Sequence, residues 1–414
     1  MADIIDMLIG TDLPELRDNR PQARDNAQTS FESLLEPINP GTFSFGERYA
    51  VATYVAGLHQ FNPAVDMYSE LLLDDAPTSL AHAITDAVAA ALSSGPYGSY
   101  REPGLAAESE PGGSVRNDAG VLGERLAAAF DYAHLLVFHP RDSRPEVLGR
   151  LSEAGWSADD TVSLAQLVSF LTFQLRVAYG LRTLNGEDIE AKTEGRLDVP
   201  EEEWNLSDKG FTITTYENLN RPDAFVNHAL GWKPWVEPVA KADLTEEQID
   251  SLIKPERADM PYFRLLARDP KALKARTLTD LDIFYNTEGA GVGRAEREIA
   301  ATVTSRFNGC VYCASVHAGR SVEEAPERLE HVNALIDQGV DADLGSEQWN
   351  VIRDAARALT ATPMAFNQGC IEKLRGVGFT DLQIVDLINS VAFFNWANRL
   401  MLSLGEPEVP KRFL

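Results

Sequence analysis

Two segments far apart in this chain spell nearly the same pattern. Gly155-Trp156-Ser157 opens an apolar stretch through Leu164, Leu167, Val168, Phe170, Leu171, Phe173 and Arg176. Farther along, Gly378-Phe379-Thr380 opens another, with Leu387, Val391, Phe393, Phe394, Trp396 and Arg399, at a shift of 378 − 155 = 223. A second pairing sets Gly46-Glu47-Arg48-Tyr49-Ala50 against Ala295 to Ala300, with Glu47 and Arg48 over Glu296 and Arg297 at a shift of 296 − 47 = 249. The order is collinear, so a tandem duplication is expected, and 414 residues are in any case too many for one ordinary core. The two shifts differ because the first copy carries an insertion, placed at 93–114, where Gly, Pro and Ser mark a loop. The expected division is a first repeat at 1–185, an acidic linker at 186–210 that is poor in aliphatic residues, and a second repeat at 211–414.

The apolar spacing is helical. From Thr380 to Leu404, Leu382, Val385, Leu387, Ile388, Val391 and Phe394 follow mostly three- and four-residue steps, with Gly405 and Pro407 beyond as stops. Gln348 to Leu359 and Arg294 to Phe307 read the same way, and no alternating run bounded by hairpin turns stands out. The expected fold class is all-α.

Composition narrows the function. Lys and Arg number 37 against 63 Asp and Glu, a net charge of 37 − 63 = −26 that repels nucleic acid and anionic membranes. With no apolar run near the ~20 residues of a membrane span and no basic-then-apolar leader at MADIIDMLIG, a cytoplasmic protein is expected. Two of the three cysteines sit in one Cys-x-x-Cys, which in a reducing compartment points to chemistry or metal and away from crosslinking.

That pair lies in CVYCASVHAGRS, after the helical RAEREIAATVTSRF and the breaker Asn308-Gly309. Residues three and four apart share a helix face, so Cys310, Cys313 and His317 can converge. A thiol in a first helical turn meets free N–H groups and the positive end of the dipole, which favour thiolate. Peroxide reduction uses a thiolate that becomes a sulfenic acid, a second thiol to capture it, and an acid–base group. His317 is spaced for the last task, and Glu298 on the preceding helix is the candidate carboxylate to orient it. Three ligands of a zinc ion, with Cys370 or a carboxylate as the fourth, and a buried structural pair remain alternatives.

Glu298, eleven residues, then Cys310-Val311-Tyr312-Cys313-Ala314-Ser315-Val316-His317 resembles the E-x11-C-x-x-C-x-x-x-H signature of alkylhydroperoxidase D-like proteins in the carboxymuconolactone decarboxylase superfamily. Leu230 to Pro238, LGWKPWVEP, is similar to the lead-in segment of the peroxidase-related branch. The resemblance implies an all-helical fold, Cys313 as peroxidatic thiol, Cys310 as resolving thiol open to the reductant, and a proton relay through Glu298 and His317. It further implies a peroxidase that needs no metal, flavin or haem. Such an enzyme would reduce an organic hydroperoxide at the expense of an external dithiol, in the family sometimes a lipoyl group on an acyltransferase. Some members place His between the cysteines, where this chain has Tyr312. Two-repeat members suggest a homotrimer in place of the hexamers of single-repeat ones. Lactone decarboxylation, whose enzymes generally lack the cysteine pair, and a redox switch or scaffold are the rival readings.

The first copy has lost the motif: Tyr49, Phe61, Ala64 and Tyr68 stand where Glu298, Cys310, Cys313 and His317 are expected. It reads as a scaffold with His59 structural. Cys370 reads as an incidental buried thiol, His134 and His139 as surface or capping residues, Trp232 and Trp235 as anchors of the lead-in segment. Arg176 and Arg399, present in both copies, are expected to make a structural ion pair or helix contact.

Overall fold

Helices that begin where the sequence offers a cap or a proline make up the architecture. Ser44, Ser157, Asp269 and Thr380 accept hydrogen bonds from the first turn of the helix each precedes, and Pro21, Pro145 and Pro270 occupy first positions, where no N–H is required. The computed structural model describes residues 3–189, 195–199, 206–207 and 209–414. Among the described residues the fold is all-α apart from one antiparallel ribbon, Gly231–Pro234 against Gly405–Glu408. That ribbon is a departure from the sequence reading. Gly405 does not merely stop the last helix; it turns the chain so that four residues pair with the lead-in segment, opposite Pro234.

Six helices recur at fixed offsets. Pro21–Leu35, Phe45–Leu58 and Asn62–Asp75 correspond to Pro270–Tyr285, Arg294–Asn308 and Val311–Glu324, each start displaced by 270 − 21 = 249. Glu124–Phe138, Pro145–Glu153 and Ala158–Leu184 correspond to Glu347–Thr360, Gln368–Gly376 and Asp381–Ser403, each start displaced by 347 − 124 = 223. The long helices Ala158–Leu184 and Asp381–Ser403 pack on one another, as do Pro21–Leu35 and Pro270–Tyr285. Arginines tie each half to the other. Arg176 donates to the carbonyls of Leu359 (2.9 Å) and Thr360 (2.8 Å), and Arg399 to that of Val137 (3.3 Å). Both are fully buried, and they cap the last carbonyls of a helix in the opposite half. They make helix contacts, not an ion pair, because each faces backbone carbonyls.

Ala158–Leu184 has the length and composition of a membrane span, contrary to the expectation that no such run exists. Its most apolar window is 94% buried inside the fold, and Gln166, Gln174 and Arg176 find partners there. Of the expected linker, residues 190–194, 200–205 and 208 lie outside the described residues. Within its described part, Leu197 and Val199 meet the inserted loop, their carbonyls accepting from Gly113 (2.7 Å) and Ser114 (3.0 Å).

A buried ion pair fixes the loop ahead of Arg294–Asn308. Asp386 takes two bonds from Arg20, at 2.7 and 2.9 Å, and one from the Val292 amide at 3.1 Å. Gly291 lets the backbone pass this close, since a Cβ there would lie 1.8 Å from Asp386 Oδ2. Asp386→Ala strands the Arg20 charge in the interior, so a loss of about 3–5 kcal/mol is expected, read as a lowered midpoint in urea unfolding.

Candidate active site

The cysteine turn is shaped by Gly309. It ends Arg294–Asn308 in the left-handed conformation at φ 77°, and Cys310 becomes the N-cap of Val311–Glu324. The Cys310 amide returns to the Ser305 carbonyl (2.9 Å), while its own carbonyl accepts from Ala314 (3.0 Å). Beneath this turn a buried amide network holds the register. Asn308 donates to Asn395 (3.2 Å) and Asn398 (2.9 Å), and Asn398 to Ser305 (2.9 Å).

All four residues singled out by sequence come together in the interior. Cys310 is 1% exposed, Cys313 4%, His317 9% and Glu298 0%. The thiols are free and hydrogen-bonded to each other. Glu298 Oε2 meets His317 Nδ1 at 2.5 Å, and its Oε1 accepts from Arg294 at 3.1 and 3.2 Å. The His317 ring lies edge-on to Phe394 at 4.2 Å between centroids, with Phe284 at 5.9 Å. Packing and hydrogen bond together leave the imidazole one orientation, with Nε2 as its free nitrogen. Among the described residues, no hydrogen bond links that nitrogen to either thiol.

Burial raises the Glu298 carboxyl, but the His317 charge and hydrogen bond, with Arg320 and Arg294, outweigh it and hold the group below the usual carboxylate range. At Cys310 the balance goes the other way. Burial, then the hydrogen bond and charge of Cys313, push its thiol well above the ordinary value. This corrects the expectation of a thiolate throughout the first turn: the Cys313 amide approaches the Cys310 sulfur and favours its charge, but desolvation is larger.

Other expectations need similar revision. His134 and His139 are not surface groups; they are 0% and 2% exposed, and His139 is the C-cap of Glu124–Phe138. His134 Nδ1 meets His139 Nε2 at 3.1 Å, and His139 Nδ1 meets Asp142 at 3.1 Å, a chain that braces a helix end under the stacked Tyr97 ring. His59 is buried between the Val55 carbonyl (2.8 Å) and Arg176 (3.2 Å). Tyr68, in the position of His317, bonds Gln174, and Tyr49, in the position of Glu298, bonds Glu36 at 3.3 Å. Trp232 and Trp235 anchor the ribbon by donating to the Met401 carbonyl (3.0 Å) and to Glu406 (3.2 Å). Cys370 is half-buried beside Asn367, at the start of another helix.

The structure adds side chains that no local pattern marked. Tyr262, whose hydroxyl is buried without a partner, lies in the field of both thiols and against Arg276, 5.8 Å from its ring. Asp280, whose carboxyl burial pushes up, faces Arg276, His317, Arg320 and Glu298. Both sit on helices that precede the motif, Pro261–Leu266 and Pro270–Tyr285, so only packing brings them near. Among the described residues no group of three or more His, Cys, Asp or Glu is gathered as a metal site.

A family model described as carboxymuconolactone decarboxylase matches residues 270–361. The matched segment runs from the helix at Pro270 to the end of the helix Glu347–Thr360 and includes all four motif residues. This part of the chain is therefore similar to that superfamily. No curated protein matches the chain.

Proposed function

We propose that the chain is a thiol peroxidase of the alkylhydroperoxidase D-like kind, built by tandem duplication with its active site in the second repeat. The observation that carries this reading is the pairing of two hydrogen-bonded thiols with His317, one turn farther along the same helix stripe, itself held by the buried Glu298 of the preceding helix. The fixed offsets of six helices support the duplication, with repeats at 1–185 and 211–414.

Cys313, one helical turn before His317, is the nucleophile, and Cys310, whose thiol burial pushes up, is the resolving thiol. Cys313 attacks the terminal oxygen of an organic hydroperoxide; the O–O bond breaks, the alkoxide takes a proton through His317, and Cys313 becomes a sulfenic acid. Glu298 fixes the His317 tautomer and stabilises the imidazolium. Cys310 then attacks the sulfenic sulfur, water leaves, and an external dithiol reduces the resulting disulfide. The reductant is a small dithiol or a lipoyl group on a partner protein, and the assembly is a homotrimer.

The test is turnover of cumene hydroperoxide with dihydrolipoamide, followed as hydroperoxide consumed. Steady consumption with appearance of a Cys310–Cys313 disulfide is expected. A disulfide that forms without turnover would favour a redox switch, and lactone decarboxylation without peroxide consumption would favour the activity for which the superfamily is named.

A further inference from the structure

Both thiols are buried, and a cleft leads to one of them. Narrow, open at its mouth and with about 30 Å³ of water-accessible room inside, it reaches Cys310 and does not include Cys313 among its walls. One wall is Gly309 to Tyr312 and another is the end of the last long helix with the ribbon residues Gly405 to Pro407. The third comes from the half that lacks the motif: Tyr100 and Arg101 on the inserted loop, and Arg141.

The charges in this cleft are unevenly matched: Arg101, Arg141 and Arg221 line it against the two carboxylates Glu102 and Glu406. Arg101 and Arg221 both pair with the buried Glu406, at 3.0 and 2.7 Å. Arg141 has no carboxylate partner among the described residues. It is 6% exposed, lies over the Tyr100 ring at 4.9 Å, and gives one bond to the Phe307 carbonyl (2.7 Å), while its Nε is buried without a partner. It also touches the cysteine turn, since a Cβ on Gly309 would lie 2.7 Å from that Nε. A buried, unpaired guanidinium is unfavourable unless an anion docks against it. Cys310 at 1% exposure is equally closed to the bulky face of a folded oxidoreductase.

We infer that this cleft admits a small thiol reductant bearing a carboxylate, which attacks Cys310 while Arg141 holds its charge. The inference rests on the disulfide cycle proposed above and gives the first half a part in it. The thiolate of the reductant forms a bond to Cys310 Sγ as the Cys310–Cys313 bond breaks, and the electron pair leaves on Cys313, which is protonated. A second reductant thiolate attacks the reductant sulfur of the mixed disulfide, releasing Cys310 and a reductant disulfide.

Alkylation tests the docking step without relying on the cycle. The reduced full chain is treated with iodoacetate or with iodoacetamide, and modified cysteines are mapped by mass spectrometry, with Cys370 as internal reference. The iodoacetate-to-iodoacetamide ratio at Cys310 is expected to exceed that at Cys370 by about tenfold, the worth of one partly buried ion pair. Arg141→Gln should remove that excess and Arg141→Lys should keep it. In the wild type it should fall between about 20 mM and 500 mM salt, a measurement that stands even if a variant fails to fold. Equal ratios, or no labelling of Cys310 by either reagent, overturn the inference. The disulfide made with diamide should likewise be reduced faster by 3-mercaptopropionate than by 3-mercaptopropionamide at equal thiolate concentration, and Arg141→Gln should level the two. If these preferences hold while hydroperoxides fail to oxidise the pair, the peroxidase reading fails and the anion cleft stands. If hydroperoxide turnover is seen without them, the cleft inference alone fails.

Discussion

Cys313→Ser is expected to lower hydroperoxide turnover by at least about 10³-fold, because a serine hydroxyl cannot replace the thiolate that attacks the O–O bond. Cys310→Ser should behave differently. One equivalent of hydroperoxide is still reduced, but the Cys313 sulfenic acid then has no thiol at hand, so it should be trapped by dimedone and seen as a mass adduct on the peptide containing Cys313. Turnover stops in both variants, whereas the adduct forms in one. If the adduct appears instead on Cys310 in the Cys313→Ser variant, the roles of the two cysteines are reversed. Serine is close to cysteine in size and neither change introduces a charge at these buried positions, so the fold is expected to survive.

Glu298→Gln is expected to lower kcat by about 10²–10⁴-fold, the ordinary worth of a positioned proton relay. The amide still has an oxygen to face His317 but cannot stabilise an imidazolium. The same variant reports on stability. The Glu298 carboxyl is held below its ordinary value in the folded chain, so ionisation favours the folded state at pH above the unfolded value of about 4.3. That contribution is lost as pH falls from there through the lower folded value. Wild-type urea midpoints should therefore drop through that acid window, and the Gln variant should lose part of the drop. Equal slopes in the two proteins would mean that Glu298 is not the depressed carboxylate, and an unaltered kcat would remove it from the relay.

The helices and the cysteine stripe were legible because they are local. Three- and four-residue spacing sets which side chains share a helix face, and that face is the same in solution or in a core. Cys310, Cys313 and His317 could therefore be grouped from sequence alone, and Gly309 could be read as the break before them. Glu298 was legible in a weaker sense. Nothing in its spacing shows that it reaches His317; it stood out as a carboxylate on the preceding helix, and the resemblance to a known signature then marked it. The recurring arginines were visible as a pattern, but their partners were not: Arg176 reaches the carbonyls of Leu359 and Thr360 in the other half of the chain.

What the tertiary structure decided was burial and the meeting of distant segments. His134 and His139 looked like surface residues because a helix end is usually wet, whereas the Tyr97 ring stacks over His139 and both are enclosed. The Cys310 thiol looked activated because the helix start is local information, whereas the desolvation that outweighs it comes from the whole fold. Arg141 and Tyr100, far ahead of Cys310 in the chain, carry no motif, and they border its cleft only because the halves pack together. The sequence by itself determined which residues lie on one turn of one helix, since backbone geometry is fixed over such short separations. Which of them are dry, charged or reachable was left to tertiary packing, because dielectric and access depend on every neighbour regardless of its place in the chain.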